Sequence, residues 1–174
     1  MKAYLAAVFV ALLINSLAID TPACAVTMPT EYQQAFIKAE CEKYGLSYTL
    51  VFGVCQAESS WNESADSGSS QGIMQLHRKT WPQLAEDLQI TDFDPYDFED
   101  NIAAGVYKLA RLRDIWQERG YMDEEVVPLM LISYNRGVKG CERYVEKYGL
   151  DNDYAERVLR YKFEYEQQEG KNGA

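Results

Sequence analysis

The sequence predicts a mainly α-helical domain, and two observations support this prediction. Apolar residues recur at helical spacing, most clearly at Ile102, Val106 and Leu109, which is the period of an amphipathic helix with one buried side. No stretch shows the alternation of a half-buried strand, and no internal repeat is visible. Room for β-structure is left only within residues 64–76, where a small hairpin is expected.

The first residues are expected to be a targeting segment and not part of the domain. Lys2 is followed by an apolar run from Ala3 to Leu13, and Ala23-Cys24-Ala25 has the form of an A-x-A cleavage site. This pattern is typical of a Sec signal peptide over residues 1–25, and the run is short for a membrane span. Export to the periplasm or to the extracellular cell wall is the expected consequence. An uncleaved anchor is the alternative.

The chain of 174 residues is long enough for one domain with a sizeable core. Its formal net charge is −10, and it has no long basic cluster. Binding of nucleic acid phosphates is therefore not expected. A large substrate would have to be held by hydrogen bonds and stacking, for which 13 tyrosines and three tryptophans supply the side chains.

Cysteine and histidine usage argues against a metal site. Cleavage after Ala25 leaves Cys41, Cys55 and Cys141, whose spacings match no zinc pattern, and the lone His77 cannot build a metal site by itself. Buried free thiols are favoured, because Cys55 falls on an apolar helical stripe. One disulfide with one free thiol is the alternative. No metal and no cofactor are expected.

The first two helices have clear start and stop signals. Residues 30–33 form a capping box for a helix that should end at Tyr44, because Gly45 favours a helix terminus. Ser47 is expected to cap the second helix. That helix can hardly run past Trp61, because the residues that follow favour turns.

The remaining helices are predicted from apolar periodicity, and their boundaries are predicted from the positions of proline and glycine. Pro128 is expected in the first turn of its helix, because an interior proline removes a hydrogen bond. The polar tail at 169–174 is expected to be disordered, which leaves 26–168 as the domain. The five expected helices are about Thr80–Leu88, Phe98–Arg119, Val126–Tyr134, Val138–Tyr148 and Asp153–Gln167.

Glu58 is the principal candidate for chemistry. It follows Val51, Val54 and Cys55 in an i, i+3, i+4, i+7 pattern, so that an acid occupies a place where an aliphatic residue is expected. It also lies in the last turn of its helix, where the helix dipole is negative. Both partial burial and this field should raise the pKa of the carboxyl toward a value useful for donating a proton.

The loop after Glu58 completes a candidate sugar-cleaving site. Gly72 allows a close approach of the backbone, and Gln75 offers both donors and an acceptor. The alternative for Glu58 is a purely structural one, in which the glutamate forms a local ion pair with Arg78 or Lys79.

Separated segments between residues 31 and 163 closely resemble the motifs of the soluble lytic transglycosylase (SLT) catalytic domain, which has a lysozyme-like fold. The fold class that the resemblance implies is mainly α, with at most a small hairpin. One motif alone would be weak, but several in the family's order are specific. They are Gln56–Asn62 with Ala65 and Ser67, Gly72–Leu76, Phe93–Pro95, Asn101–Gly105, Ser133–Gly137, and Tyr154 with Val158 and Tyr161.

The resemblance implies roles for particular residues. Glu58 would be the single catalytic acid and base. Ser67 would hydrogen-bond near Glu58 or to an N-acetyl group of the substrate, and Gln75 would contact the glycan. Tyr134 and Asn135 would line the cleft opposite Glu58. Tyr154 would support the same wall, so the implied substrate-binding residues are Ser67, Gln75, Tyr134, Asn135 and Tyr154.

The implied substrate is the glycan strand of peptidoglycan. Glu58 would protonate the glycosidic oxygen between N-acetylmuramic acid and N-acetylglucosamine, while the N-acetyl oxygen of the substrate stabilises charge at C1. The carboxylate would then accept the proton of the muramoyl C6 hydroxyl, which gives a 1,6-anhydro product without water or metal. Hydrolysis by paired carboxylates would need a second acid at a limited distance, and the motifs contain only one.

Two rival functions remain open in the sequence. One is a muramidase of the goose-type lysozyme kind, for which Asp66 is the best candidate for a water-activating base. The other is a non-catalytic glycan-binding or assembly protein. The sequence departs from the family pattern at Ser133, where alanine is usual, and at His77-Arg78, where Met-Pro is usual. A monomer is expected, and the sequence does not choose between wall turnover, secretion, conjugation and phage infection as its setting.

Overall fold

The structure, a computed structural model, describes residues 26–172, so the predicted signal peptide lies outside the described residues. Within them the fold is mainly helical with one small hairpin, as predicted. No helix in this part of the chain has the length and apolar character needed to cross a membrane. The elements are α1 Glu31–Tyr44, α2 Tyr48–Ser59, β1 Ser70–Gln71, β2 Leu76–His77, α3 Trp81–Asp87, α4 Phe98–Glu118, α5 Asp123–Arg136, α6 Val138–Tyr148 and α7 Asp153–Asn172.

Helix α2 lies at the centre of the core. Every residue from Thr49 to Gln56 is buried, and α7 covers one side of the helix. The two backbones approach closely at Gly53, where an added Cβ would lie 2.5 Å from the carbonyl oxygen of Val158. A helix that is buried on all sides has no solvent-facing side for charged residues. In α2 a carboxylate is therefore accommodated only near the end of the helix, beyond the buried stretch.

The hairpin is tied to the start of α4 by Asn101, which is fully buried. Its Oδ1 accepts the backbone N–H of Met74 at 2.9 Å, and its Nδ2 donates to the carbonyls of Gln71 and Pro95 at 3.1 and 2.7 Å. Gly72 has φ 76°, and a Cβ there would lie 2.0 Å from the Pro95 oxygen and 2.1 Å from Asn101 Nδ2. Only glycine fits this turn, so the spacing of the motif is a packing requirement.

The N-terminal caps agree only in part with the sequence. Thr30 and Gln33 form the predicted capping box, and Gly45 ends α1 with φ 62°. Ser47 precedes α2 as predicted, but its side chain does not cap the helix. Its hydroxyl lies 2.8 Å from that of Thr49 instead.

The boundaries of the later helices need two corrections. α5 begins at Asp123, before the predicted Val126, and Pro128 lies inside it. The proline is tolerated because the one carbonyl it leaves without an intrahelical donor belongs to the exposed Glu124. α7 continues to Asn172, past the predicted end at Gln167.

The residues from 169, expected to be disordered, are helical up to 172. Glu169 accepts a hydrogen bond from the hydroxyl of Tyr48 at 2.6 Å and pairs with Lys38 at 3.3 Å. These contacts to α1 and α2 hold the last turns of α7 against the domain. The prediction of buried free thiols is confirmed for Cys41, Cys55 and Cys141.

Candidate active site

Glu58 lies in the last turn of α2, as predicted, and its side chain is half-buried. The helix ends there because Ser60 adopts a left-handed conformation, with φ 52°. Burial raises the pKa of the Glu58 carboxyl, while a hydrogen bond from Tyr154 and the charges of Lys108 and Arg157 oppose this rise. The net shift is upward, which suits a carboxyl group that donates a proton near neutral pH.

Tyr154 is the direct partner of Glu58. Its hydroxyl donates to Glu58 Oε1 at 2.6 Å. The tyrosine is held in the first turn of α7 because Asn152 Oδ1 accepts the backbone N–H groups of Tyr154 and Ala155 at 3.2 and 3.1 Å. Burial and the nearby carboxylate hold the pKa of the Tyr154 phenol well above its ordinary value. The hydroxyl therefore remains a donor over the whole useful pH range.

Tyr134 forms its side-chain hydrogen bond with the hairpin and not with Glu58. It is buried on α5, and its hydroxyl donates to the carbonyl of Met74 at 2.8 Å. Burial, with a smaller contribution from the charge of Glu58, raises the pKa of its phenol well above the ordinary value. Tyr134 thus joins α5 to the turn between β1 and β2 and forms a rigid wall near the carboxylate.

Lys108 is a site residue that the sequence reasoning missed. Its Nζ lies 3.6 Å from the centroid of the Tyr134 ring and donates to the Tyr134 carbonyl at 3.2 Å. Burial lowers the pKa of the Lys108 ammonium to about 8, against the attraction of the Glu58 carboxylate. The sequence did contain a signal for Lys108. This lysine shares one face of α4 with the buried residues Gly105 and Leu112, so it occupies a position where an apolar residue is expected.

A cleft of about 510 Å³ lies between α3, α4, α5 and the start of α6. Lys108, Tyr134 and the exposed Asn135 line it, whereas Glu58 does not. Lys108 and Tyr134 therefore connect this cleft with the surroundings of Glu58. The predicted pair Tyr134 and Asn135 does line a cleft, and the substrate role of the pair stays a prediction.

The two loop candidates, Gln75 and Ser67, form their hydrogen bonds largely with other residues of the same loop. Gln75 donates from Nε2 to the carbonyls of Ala65 and Gly72 at 3.0 and 2.9 Å, so its amide carbonyl is the group left for a ligand. Ser67 is exposed, and its hydroxyl accepts from the N–H of Ser70 at 3.1 Å and lies 3.3 Å from the Ser70 carbonyl. In the described part of the chain Ser67 forms no hydrogen bond with Glu58. A role for either residue in glycan binding stays a prediction.

Asp66, the rival candidate for a base, is held in an exposed network. Its Oδ2 accepts from the Tyr96 hydroxyl at 2.6 Å and from Arg78 Nη2 at 2.7 Å, and its Oδ1 accepts the N–H of Gly68 at 2.7 Å. The Tyr96 hydrogen bond, followed by that of Gly68, lowers the pKa of the Asp66 carboxyl. Because Arg78 pairs with Asp66, it is not the ion-pair partner proposed as an alternative for Glu58.

Ser133, which replaces the alanine usual in the family motif, is buried and has a structural partner. Its hydroxyl accepts the indole N–H of Trp116 at 2.9 Å. The hydroxyl therefore adds a hydrogen bond between α4 and α5 without entering the surroundings of Glu58. This departure from the motif is explained by helix packing.

Comparison with known proteins places the chain in a family. The model of the transglycosylase SLT domain matches residues 34–156. The membrane-bound lytic murein transglycosylase F of Desulfosudis oleivorans is 31% identical over 121 residues, which cover 66% of this chain and 25% of that protein. The chain therefore spans about a quarter of the length of this relative.

Solved structures show the same fold. An inactive glutamate-to-glutamine mutant of lytic transglycosylase Slt from Pseudomonas aeruginosa is 19% identical with a TM-score of 0.65, over 79% of this chain and 24% of that chain. The 70 kDa soluble lytic transglycosylase of Escherichia coli is 18% identical with a TM-score of 0.65, over 78% of this chain and 24% of that chain. The chain belongs to the transglycosylase SLT domain family of the lysozyme-like superfamily.

Proposed function

We propose that this protein is a lytic transglycosylase that cleaves peptidoglycan strands between N-acetylmuramic acid and N-acetylglucosamine without water. The observation that carries the proposal is the environment of Glu58. Its carboxyl is half-buried with a raised pKa, it accepts a hydrogen bond from Tyr154, and the charged groups that act on its pKa are the cations Lys108 and Arg157. The name of the Desulfosudis relative, a lytic murein transglycosylase, agrees with this proposal.

These surroundings suit a group that must work in two protonation states. Burial favours the neutral acid, which gives its proton to the glycosidic oxygen as the bond to C1 breaks. The acetamido oxygen of the muramoyl residue stabilises the positive charge at C1. The Tyr154 hydroxyl and the Lys108 ammonium then stabilise the carboxylate of Glu58. That carboxylate takes the proton of the C6 hydroxyl as its oxygen bonds to C1, which returns Glu58 to its starting state and leaves a 1,6-anhydro end.

A hydrolytic mechanism finds less support at this site. A water-activating base would have to face the sugar from a second carboxylate. Asp66 is the candidate, but its oxygens already accept hydrogen bonds from Tyr96, Arg78 and Gly68, and its pKa is lowered. A carboxylate with a lowered pKa is a weaker base for water.

Analysis of the products decides between the two reactions. Purified protein is incubated with peptidoglycan sacculi, and the soluble muropeptides are identified by mass spectrometry. The proposal expects 1,6-anhydro ends on the muramoyl residues. Reducing ends would establish a muramidase. The absence of soluble products from the wild type, with retained binding to sacculi, would establish a non-catalytic protein.

The proposed location is outside the cytoplasm, in the periplasm or at the cell wall, where the substrate is found. The proposal rests on the signal peptide predicted for residues 1–25, and the Desulfosudis relative is named as a membrane-bound protein. We propose that the protein acts on the glycan as a monomer. A secretion, conjugation or wall-assembly machine is the kind of partner proposed for it.

A further inference from the structure

Two clefts share the side chain of Arg136. The first is the cleft beside Tyr134, which is also lined by Lys108 and Arg111 and contains one carboxylate, that of Asp87. The second has a similar volume of about 510 Å³ and lies on α6. Arginine, lysine and tyrosine line the second cleft together with Gly140, and no acid lines it. We call the five basic residues of both clefts the cationic track: Lys108, Arg111, Arg136, Arg143 and Lys147.

In the part of the chain that the structure describes, the residues of the cationic track are not paired with carboxylates in salt bridges, although the Lys108 ammonium is attracted by the Glu58 carboxylate. The chain has 27 acidic and 17 basic residues, so a basic side chain can readily find a carboxylate. Within residues 26–172 none of the five forms a salt bridge, whereas several basic residues elsewhere do, such as Lys38, Arg78 and Arg113. Four of the five lie over tyrosine rings, namely Lys108 on Tyr134, Arg111 on Tyr107, Arg136 on Tyr144 and Lys147 on Tyr148.

A cation over an aromatic ring keeps its charge and remains free to bind an anion. On α6, Arg143 and Lys147 are four residues apart and lie on the same side of the helix, which is unfavourable for like charges. Glu142, the acid next to Arg143, pairs with Arg119. The track therefore places like charges close together and leaves them without a salt bridge in the described residues. This is the arrangement expected of an anion-binding surface.

We propose that the cationic track binds the carboxylates of the peptide stems carried by the glycan strand. The identity of this ligand rests on the proposed function, because the strand is what would occupy the cleft beside Lys108 and Tyr134. A muramoyl residue carries its stem on the lactyl group through an amide. Hydrolysis of this amide by an amidase leaves one carboxylate on the lactyl group next to the sugar, whereas an intact stem carries its free carboxylates along the peptide, away from the glycan. Arginine binds such carboxylates in a bidentate manner, and Tyr144 and Tyr148 supply apolar surface for the stem.

The track thereby gives an acidic protein local attraction for an acidic substrate. With a formal net charge of −10, the protein as a whole repels anionic chains. Within a Debye length of about 8 Å at physiological salt, however, the nearest charges dominate. The consequence is a preference for strands that still bear peptides over strands from which amidases have removed them.

The test measures binding without cleavage, in the Glu58→Gln background. Soluble glycan strands are compared with the same strands stripped of stems by an amidase, and affinity is measured by fluorescence anisotropy. The double change Arg143→Gln and Lys147→Gln should weaken binding of stem-bearing strands roughly tenfold through the loss of two charge-assisted contacts. Binding of stripped strands should be unchanged, and added salt should reduce the difference between the two ligands.

The matched control is the double change Lys79→Gln and Lys139→Gln, which removes the same charge from residues that line neither cleft. It should leave both affinities as they are. Equal weakening for both strands, or no weakening for the stem-bearing one, would overturn the proposal. Because binding is measured without cleavage, the two proposals can fail separately. A failure to find anhydro products would reject the proposed function, but it would not change the interpretation of the binding measurements.

Discussion

The hydroxyl of Tyr154 and the carboxylate of Glu58 form a hydrogen bond of 2.6 Å between residues that are 96 positions apart in the chain. The bond links the end of α2 with the start of α7, the two helices that pack along the centre of the core. It brings a permanent donor to a carboxyl whose pKa is raised by burial. The donor selectively stabilises the ionised state, and this balance leads to the first prediction.

The change Tyr154→Phe should shift the pH dependence of activity. Loss of the hydrogen bond removes an interaction that lowers the pKa of Glu58, so the pKa rises further and the protonated acid persists to higher pH. The basic limb of the kcat/KM profile should therefore move to higher pH. The rate at neutral pH should be lower by roughly 10- to 100-fold, because a carboxyl group with a higher pKa is a weaker acid toward the glycosidic oxygen and the carboxylate formed in that step is less stabilised. The profile is measured from the release of soluble muropeptides, and an unmoved basic limb would contradict this role for Tyr154.

The change Glu58→Gln should abolish lysis while leaving binding intact. Glutamine matches the shape of the carboxyl group but cannot donate or accept the proton, so activity should fall by at least about 10³-fold. Release of muropeptides and sedimentation with sacculi are the two measurements. Asp66→Asn is the control, because Asp66 holds the loop and has no chemical role in the proposed reaction. A hydrolase that uses Asp66 would reverse the outcome for that control.

The change Lys108→Met should alter how stability depends on pH. The pKa of Lys108 is about 8 in the folded protein and about 10.4 in an unfolded chain. Between these values the unfolded chain binds more protons, so the wild type gains stability as the pH rises through this window. The variant lacks this gain. Relative to the variant, the wild type should therefore become more stable from about pH 8 to pH 10, as measured by thermal unfolding at each pH, and a constant difference would refute the assigned shift.

The change Gly72→Ala should destabilise the fold severely. A Cβ at this position would lie 2.0 Å from the Pro95 oxygen and 2.1 Å from Asn101 Nδ2, so the hairpin would have to move away from α4. A cost of about 3 kcal/mol or more is expected, measured by denaturant unfolding. Gly68→Ala is the matched control, because its φ of 82° is equally left-handed but no atom lies within 4 Å of the added carbon. It should cost about 1–2 kcal/mol, and similar costs for the two variants would contradict the packing argument.

The change Ser133→Ala should reduce stability but not chemistry. The indole N–H of Trp116 would lose its acceptor in a buried position, which costs about 1–3 kcal/mol. The free energy of unfolding and the rate of muropeptide release are measured together. Ser69→Ala, at an exposed position, should change neither quantity. If the rate fell for Ser133→Ala without a loss of stability, the hydroxyl would have a role in the site beyond helix packing.

Local signals were sufficient for most of the helices and for the position of the candidate acid. The capping box at Thr30, the stop at Gly45 and the hairpin near Gly72 are where the sequence places them, because each depends on neighbouring residues. The end of α7 could not be read in this way. Its last turns are polar, and the contacts of Glu169 with Tyr48 and Lys38 come from residues distant in the chain.

By itself the sequence determined that Glu58 lies in the last turn of an apolar helix and that this one acid is the candidate for chemistry. Only the tertiary structure decided which side chains surround it. Packing brings Tyr154 to Glu58, places Lys108 in the cleft wall, directs the Tyr134 hydroxyl to Met74 and leaves Asp66 bound to Arg78. The physical reason is that periodicity determines which face of a helix is buried, whereas contacts between side chains depend on how the helices pack against one another.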